Sequence, residues 1–338
     1  VEAVRIEPDT FQPSDFTEES APLRPFTPVV SVSPVLLDLP LISGDEVPHA
    51  PHVAVTATPW PGTVAIYDAA QDAGYALNGL VPAQSVIGVT ETPLRASRSG
   101  CVDRGAPLEV RLFSGTLQSI SDAELLSGGN LLAIGDGTPG NWELLQFRDA
   151  ALIDEDRWAL SHRLRGQAGT DGVMPAAWPA GSVVVLMNGI PEQIGLAAAQ
   201  RRVERHYRIG SARRGHDDPS YVHLTAAFDG NGLRPYRPVH LRASDEGGDL
   251  RVTWIRRTRI DGDAWDGFEV PLGEESEAYL VRVERDGSVL REATSQVPSW
   301  TYPAAARSED IAGGPVEIAV AQLSARYGPG PFARLTLA

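Results

Sequence analysis

The chain has no lysine: all 29 basic residues are arginine. Schiff-base chemistry and the lysine of a phosphate-binding loop are therefore excluded. What remains is the cation suited to planar, two-pronged ion pairs; a GC-rich coding bias would also produce this composition. The single cysteine, Cys101, forbids an internal disulfide. Nothing beside it marks a nucleophile, and it is expected to be a small buried or half-buried side chain. No apolar run approaches the ~20 residues a membrane-spanning helix needs. The opening Val1-Glu2-Ala3-Val4-Arg5 has no initiating methionine and no charged-then-apolar export pattern. It reads as the start of a piece of a longer chain. Also missing are His-Glu-x-x-His, paired Cys-x-x-Cys, a Gly-Lys-Ser phosphate loop and a Gly-x-Ser-x-Gly elbow. An enzyme is not expected, nor a cofactor.

What is present suits a β-rich globular protein. There are 338 residues, 42% of them hydrophobic, with 33 glycines and 27 prolines. That is enough chain for two or three domains joined by many turns. The net charge of −15 argues against duplex nucleic acid or an anionic membrane as the main partner.

Residues 1–52 read as an extended, proline-rich arm. Pro8, Pro13, Pro22, Pro25, Pro28, Pro34, Pro40, Pro48 and Pro51 forbid a long helix and remove ladder donors. Val35-Leu36-Leu37-Asp38-Leu39 could add one strand to a neighbour, and Leu36, Leu37, Leu39, Leu41 and Ile42 are too apolar for a solvated linker. The arm is therefore expected to be bound.

Residues 53–232 read as one β-dominated domain. Pro59-Trp60-Pro61-Gly62 is expected to turn a hairpin between His52–Ala57 and Val64–Tyr67. Further strands are expected at Leu108–Phe113, Leu131–Ile134, Trp142–Phe147, Trp158–Leu164 and Ser182–Leu186. Ser121-Asp122-Ala123-Glu124 has the spacing of a reciprocal helix cap, with Gly128-Gly129 ending the helix. No strand–helix alternation suggests a doubly wound nucleotide-binding sheet.

Residues 233–338 have the size and strand spacing of an immunoglobulin-like sandwich. Ala278–Glu284 alternates with period two, and Asp286-Gly287 accepts the positive φ of a tight hairpin. With Trp254 on an early strand, the unit looks like fibronectin type III. One departure stands out: Val316 or Ile318 occupies the position where a tyrosine is expected near the start of the penultimate strand.

Candidate chemistry is sparse. Among the histidines only His49 and His52 approach ligand spacing, and an accidental pair explains them. Asp261, Asp263 and Asp266 could offer hard oxygen ligands to calcium, but they depart from the EF-hand pattern and suit a solvated turn. Glu274, Glu275 and Glu277 invite pairing with Arg256, Arg257 and Arg259. Of the seven tryptophans, Trp60, Trp142, Trp158, Trp254 and Trp300 are expected in the core. Trp178 and Trp265 sit in loop-like surroundings and are the candidates for an exposed ligand or host contact.

Seven stretches in order resemble the carboxy-terminal part of the large tail-hub proteins of gene transfer agents and related siphophages. They are Leu37-Asp38-Leu39-Pro40-Leu41, Pro59-Trp60-Pro61-Gly62, Leu125-Leu126-Ser127-Gly128-Gly129-Asn130 and Trp142-Glu143-Leu144-Leu145-Gln146-Phe147, followed by Leu164-Arg165-Gly166-Gln167-Ala168-Gly169-Thr170, Trp254-Ile255-Arg256-Arg257-Thr258-Arg259 and Pro271-Leu272-Gly273-Glu274-Glu275-Ser276-Glu277. The strand patterns give the fold expected for this chain: mainly β, a β-rich tail domain followed by a fibronectin type III-like sandwich. The resemblance implies a structural role at a virion tail tip or baseplate, in a homotrimeric hub among other tail proteins, with assembly in a bacterial cytoplasm and terminal domains near the host surface. The glycoside-hydrolase-like barrel of that family lies upstream of the matching region, and the resemblance supplies no catalytic residues for these positions. The competing expectation is a cell-surface glycan-binding or glycan-acting module using Trp178, Trp265 and the Asp261/Asp263/Asp266 turn.

Overall fold

The computed structural model describes residues 1–3, 30–260, 262 and 270–337. Strand β1 (Ser33–Leu37) pairs antiparallel with β2 (His52–Thr56), and Glu192–Gln193 pairs on the other side of β2. The apolar run at the end of the proline-rich segment is thus a strand of the first folded unit. A domain boundary at residue 52 would cut this sheet in two. Facing it is a four-stranded sheet that begins with β3 (Val64–Ala69) and β4 (Ala76–Val81). The expected hairpin at Pro59-Trp60-Pro61-Gly62 does not form, because β2 and β3 belong to opposite sheets. Every residue of β2 is buried, so it has covered faces on both sides. The Thr56–Val64 link arches over the core instead of folding β3 back beside β2.

The chain then leaves this sandwich and builds a barrel. Its strands are β5 (Ile87–Thr90), β6 (Leu108–Leu112), β7 (Leu131–Gly135), β8 (Trp142–Asp154), β9 (Arg157–Gln167) and β10 (Val183–Leu186). The order β8-β7-β10-β5-β6-β9 closes through the β8–β9 pairing. Closure removes free edges. Period-two alternation fills the inside with Leu108, Val110, Leu132, Ile134, Leu145, Phe147, Leu160 and Val184. The opposite parity of the same strands sends Ile87, Ala133, Trp142, Leu144 and Val185 outward against Leu37, Leu39 and Ala54. That second contact explains why β2 is buried on both faces. Gly88 permits close strand approach, since a Cβ there would meet the Arg111 carbonyl oxygen at 2.3 Å.

Helix α1 (Asp122–Leu126) crosses from β6 towards β7 with the expected reciprocal cap. The Glu124 amide donates to the Ser121 hydroxyl, and the Ser121 amide donates to the Glu124 carboxylate. Chain 192–232 returns to the first sandwich through β11 (Arg205–Ser211) and β12 (Val222–Ala226), completing the sheet β12-β11-β3-β4. The 53–232 stretch therefore holds two cores: a discontinuous sandwich and a barrel inserted into it.

The last unit comprises β13 (Val239–Glu246), β14 (Asp249–Ile255), β15 (Tyr279–Arg285), β16 (Ser288–Ser295), β17 (Ser299–Tyr302), helix α2 (Ala304–Ile311), β18 (Val316–Ser324) and β19 (Ala333–Leu337). Sheet β13-β14-β17 faces sheet β16-β15-β18-β19. First, second and fifth strands against fourth, third, sixth and seventh is the fibronectin type III arrangement. Asp286 and Gly287 take φ of 49° and 79° at the β15–β16 turn, as that dipeptide's tolerance of positive φ allows. Val316 and Ile318 are core residues. The corner is tied instead by Tyr302, whose hydroxyl donates to Asp310 on α2 at 2.5 Å.

Candidate functional site

The densest chemistry lies inside one end of the barrel. Glu143 points inward because it shares the parity of Leu145 and Phe147 on β8. Its carboxylate accepts from Arg165 Nε at 2.6 Å, Arg165 Nη2 at 2.8 Å, the Trp178 indole at 2.7 Å and the Gly166 amide at 3.2 Å. Arg165 Nη1 donates to the Arg95 carbonyl at 2.7 Å. Arg163, also buried, grips Asp103 through Nε and Nη2 at 3.1 and 2.9 Å. Neither Glu143 nor Arg165 exposes side-chain surface. A buried pair of this kind is tolerated only when its remaining donors and acceptors are satisfied, and here the plug is nearly saturated. It leaves no base free to act on a substrate.

Trp178 belongs to this plug. Its expected role as an exposed contact is corrected: it is 3% exposed and packs in the barrel core. The cause is its short pairing with Leu94, which turns the ring inward onto Glu143. Trp265, Asp261, Asp263 and Asp266 lie outside the described residues. Cys101, expected to be at least half-buried, is exposed on a surface loop. His49 and His52 are not brought together as ligands. His49 Nε2 lies 3.0 Å from the Leu196 carbonyl, while burial pushes His52 below the ordinary imidazole range.

A second polar system joins the units. Asp171, following β9, accepts from Arg257 at 2.8 Å and Arg237 at 3.0 Å, both from the C-terminal unit. Gly169 allows this approach; a Cβ there would meet Tyr236 at 2.2 Å. Asp38, just past β1, accepts from the amides of Gly230 and Asn231 at 2.9 and 2.7 Å. The Asn231 side chain donates to the Asp38 carbonyl and accepts from the Tyr327 hydroxyl. Arg259 is buried, bonded to Glu274 and to the carbonyls of Gly232 and Gly273. Of the arginine–acid pairings expected between residues 256–259 and 274–277, this is the one the structure makes. Arg257 reaches across to the barrel instead.

Ser161, His162 and Asp149 resemble a relay only by composition. His162 Nδ1 and the Ser161 hydroxyl both bond to Asp149 Oδ2, at 2.5 and 3.2 Å. The serine is therefore held by the acid, not by the base that would have to activate it. Bonds from Arg148 chiefly, and from His162, hold the Asp149 carboxyl down to about 2.

One cluster with metal-ligand chemistry emerges that sequence spacing does not reveal. His206 Nδ1 and His223 Nε2 lie 3.0 Å apart, and His223 Nε2 is 3.9 Å from Asp72 Oδ1. The histidines are seventeen residues apart and meet only because β11 and β12 pair with His206 opposite Thr225 and Arg208 opposite His223. The signal was the register of a hairpin, which spacing alone does not supply. Asp72 is held below the usual carboxylate range by the Tyr75 hydroxyl and by Arg208.

Residues 85–185 match the family model "Rcc01698-like, C-terminal", a name associated with gene transfer agents. The matched stretch coincides with the barrel, β5 to β10. No curated protein matches the chain. Among solved structures, the rat CD45 extracellular region, domains d3-d4, is 12% identical. It covers 42% of this chain and 67% of its own, with a TM-score of 0.22. The chicken CNTN1 FN1-FN3 domains are 9% identical, cover 86% and 93%, and score 0.21. The fold assignment rests on the strand order described above.

Proposed function

We propose that this chain is a structural part of a phage-like tail tip or baseplate hub, acting in a homotrimer with other tail proteins and holding its C-terminal sandwich towards the host surface. The observation that carries this reading is where the polar side chains go. Glu143, Arg165, Asp171, Arg257, Arg259 and Glu274 all lie in or beside the motifs that resemble tail-hub proteins, and each is bonded within a unit or across a junction. They brace modules. Among the described residues, none of the clusters at the barrel plug, the junctions or Asp149 sets a base beside a nucleophile.

The family likeness of the barrel supports the same reading at the level of gene transfer agents; the tail-hub assignment is the finer step. Among the described residues no helix is long and apolar enough to cross a membrane. The glycan reading has lost Trp178 to the core, and among the described residues no other observation favours it. Mass photometry of the full-length parent protein tests the proposal. A trimer is expected; a strict monomer at all accessible concentrations would overturn it.

A further inference from the structure

The outer face of the β12-β11-β3-β4 sheet carries the His206/His223/Asp72 cluster, which the bracing role does not use. The three ligand atoms lie within 4.8 Å of one another. We propose that His206, His223 and Asp72 form a binding site for a borderline divalent transition metal, Zn²⁺ being the natural probe.

The argument begins with donor type. Two imidazoles and one carboxylate favour zinc-class ions over Ca²⁺ or Mg²⁺, which prefer oxygen-only shells. Geometry is next. Around a tetrahedral ion with ligand bonds of about 2.0–2.1 Å, two ligand nitrogens sit roughly 3.3 Å apart. The imidazole nitrogens are 3.0 Å apart, so a small opening tilt of two partly exposed rings admits the ion. In its absence one ring must donate a proton to the other; the metal replaces that shared proton. Both histidines stand on paired strands, so their backbones are fixed relative to each other by the β11–β12 ladder.

Asp72 is also fixed. Tyr75 and Arg208 donate to its Oδ1 at 2.6 and 3.0 Å, which orients the carboxylate beside His223, whose Nε2 lies 3.9 Å from that oxygen. Bonds of this kind behind a ligating group are the usual way a metal site is stiffened. Arg208 carries charge that opposes the ion, so the site is weaker than a closed structural zinc centre. Three protein ligands leave a coordination position for water or for a side chain from a neighbouring chain.

The test is calorimetric titration of ZnCl₂ into chelator-treated, untagged full chain, with Co²⁺ loading followed by visible absorption. One saturable event is expected, with Co²⁺ giving the absorption of a low-coordinate site. His206→Ala and His223→Ala should each weaken binding by at least ~10-fold while leaving the thermal midpoint of the apo protein unchanged, since both rings are at least partly exposed. Binding that persists unaltered in the His206→Ala/His223→Ala double variant, or no saturable binding in the unsubstituted chain, would overturn the site.

Discussion

Glu143 shows how a residue becomes legible only when its parity is known. The Trp142–Phe147 run reads in sequence as a strand with an acid and an amide in an apolar stretch. Only the barrel explains them: Glu143 faces in to Arg165, while Gln146 faces out and donates to the carbonyls of Leu125 and Gly129. Glu143→Gln would leave the buried Arg165 guanidinium with only the Asp103 carboxylate, 3.7 Å away and shared with Arg163, as counter-charge, so a loss of about 3 kcal/mol is expected in chemical denaturation. Adding Arg165→Met to that variant should recover part of the loss, because the two positions are coupled. Asp149 offers a test by pH. Its folded carboxyl is held at about 2, against an ordinary 3.8. A depressed acid contributes stability that is fully present above the unfolded value and fades as pH falls through the folded one. The contribution should therefore decline between pH 3.8 and 2, and its size is small because the group is partly exposed. A carboxyl-carbon NMR titration should place the midpoint near 2, and Arg148→Gln should move it up. Trp178 marks the limit of reading by neighbourhood. Loop-like flanks suggested exposure, yet a two-residue pairing and one buried acid drew it inside.

Strands and turns with local causes were readable; those with distant causes were not. The Ser121/Glu124 cap and the Asp286-Gly287 turn follow from residues within reach of each other, and both form. Ser121→Ala should cost about 1 kcal/mol of stability, measurable as a lowered denaturation midpoint with the barrel otherwise intact. The turn expected at Pro59-Trp60-Pro61-Gly62 failed because its flanking strands are claimed by different sheets, and nothing in the connecting stretch 57–63 says so. His206 and His223 were missed for the same reason: hairpin register, not spacing, makes them neighbours. Gly169 is the point of close approach between barrel and sandwich. It holds φ of 77° against the Tyr236 ring, so Gly169→Ala combines backbone strain with a clash. Faster hydrogen exchange around Tyr236 is expected, with the barrel strands unaffected.

At the scale of the whole molecule, the mainly β class and the C-terminal sandwich could be read from alternation and turn spacing. The insertion of the barrel into the first sandwich could not, because β11 returns to pair with β3 across more than a hundred residues, bringing β12 with it. The junctions convert three cores into one braced body, with Asp171 as the tie between barrel and sandwich. Asp171→Asn would leave Arg237 and Arg257 without their counter-charge and should loosen that junction, seen as a larger radius of gyration in solution scattering without loss of strand content. Bracing is the property on which the proposed structural role rests. The most direct measurement is cryo-electron microscopy of purified tail-like particles from cells that make the parent protein. The barrel and its flanking sandwiches should fit density at the tail tip in threefold-related copies. Particles complete in every other respect whose tips hold no such density would contradict it.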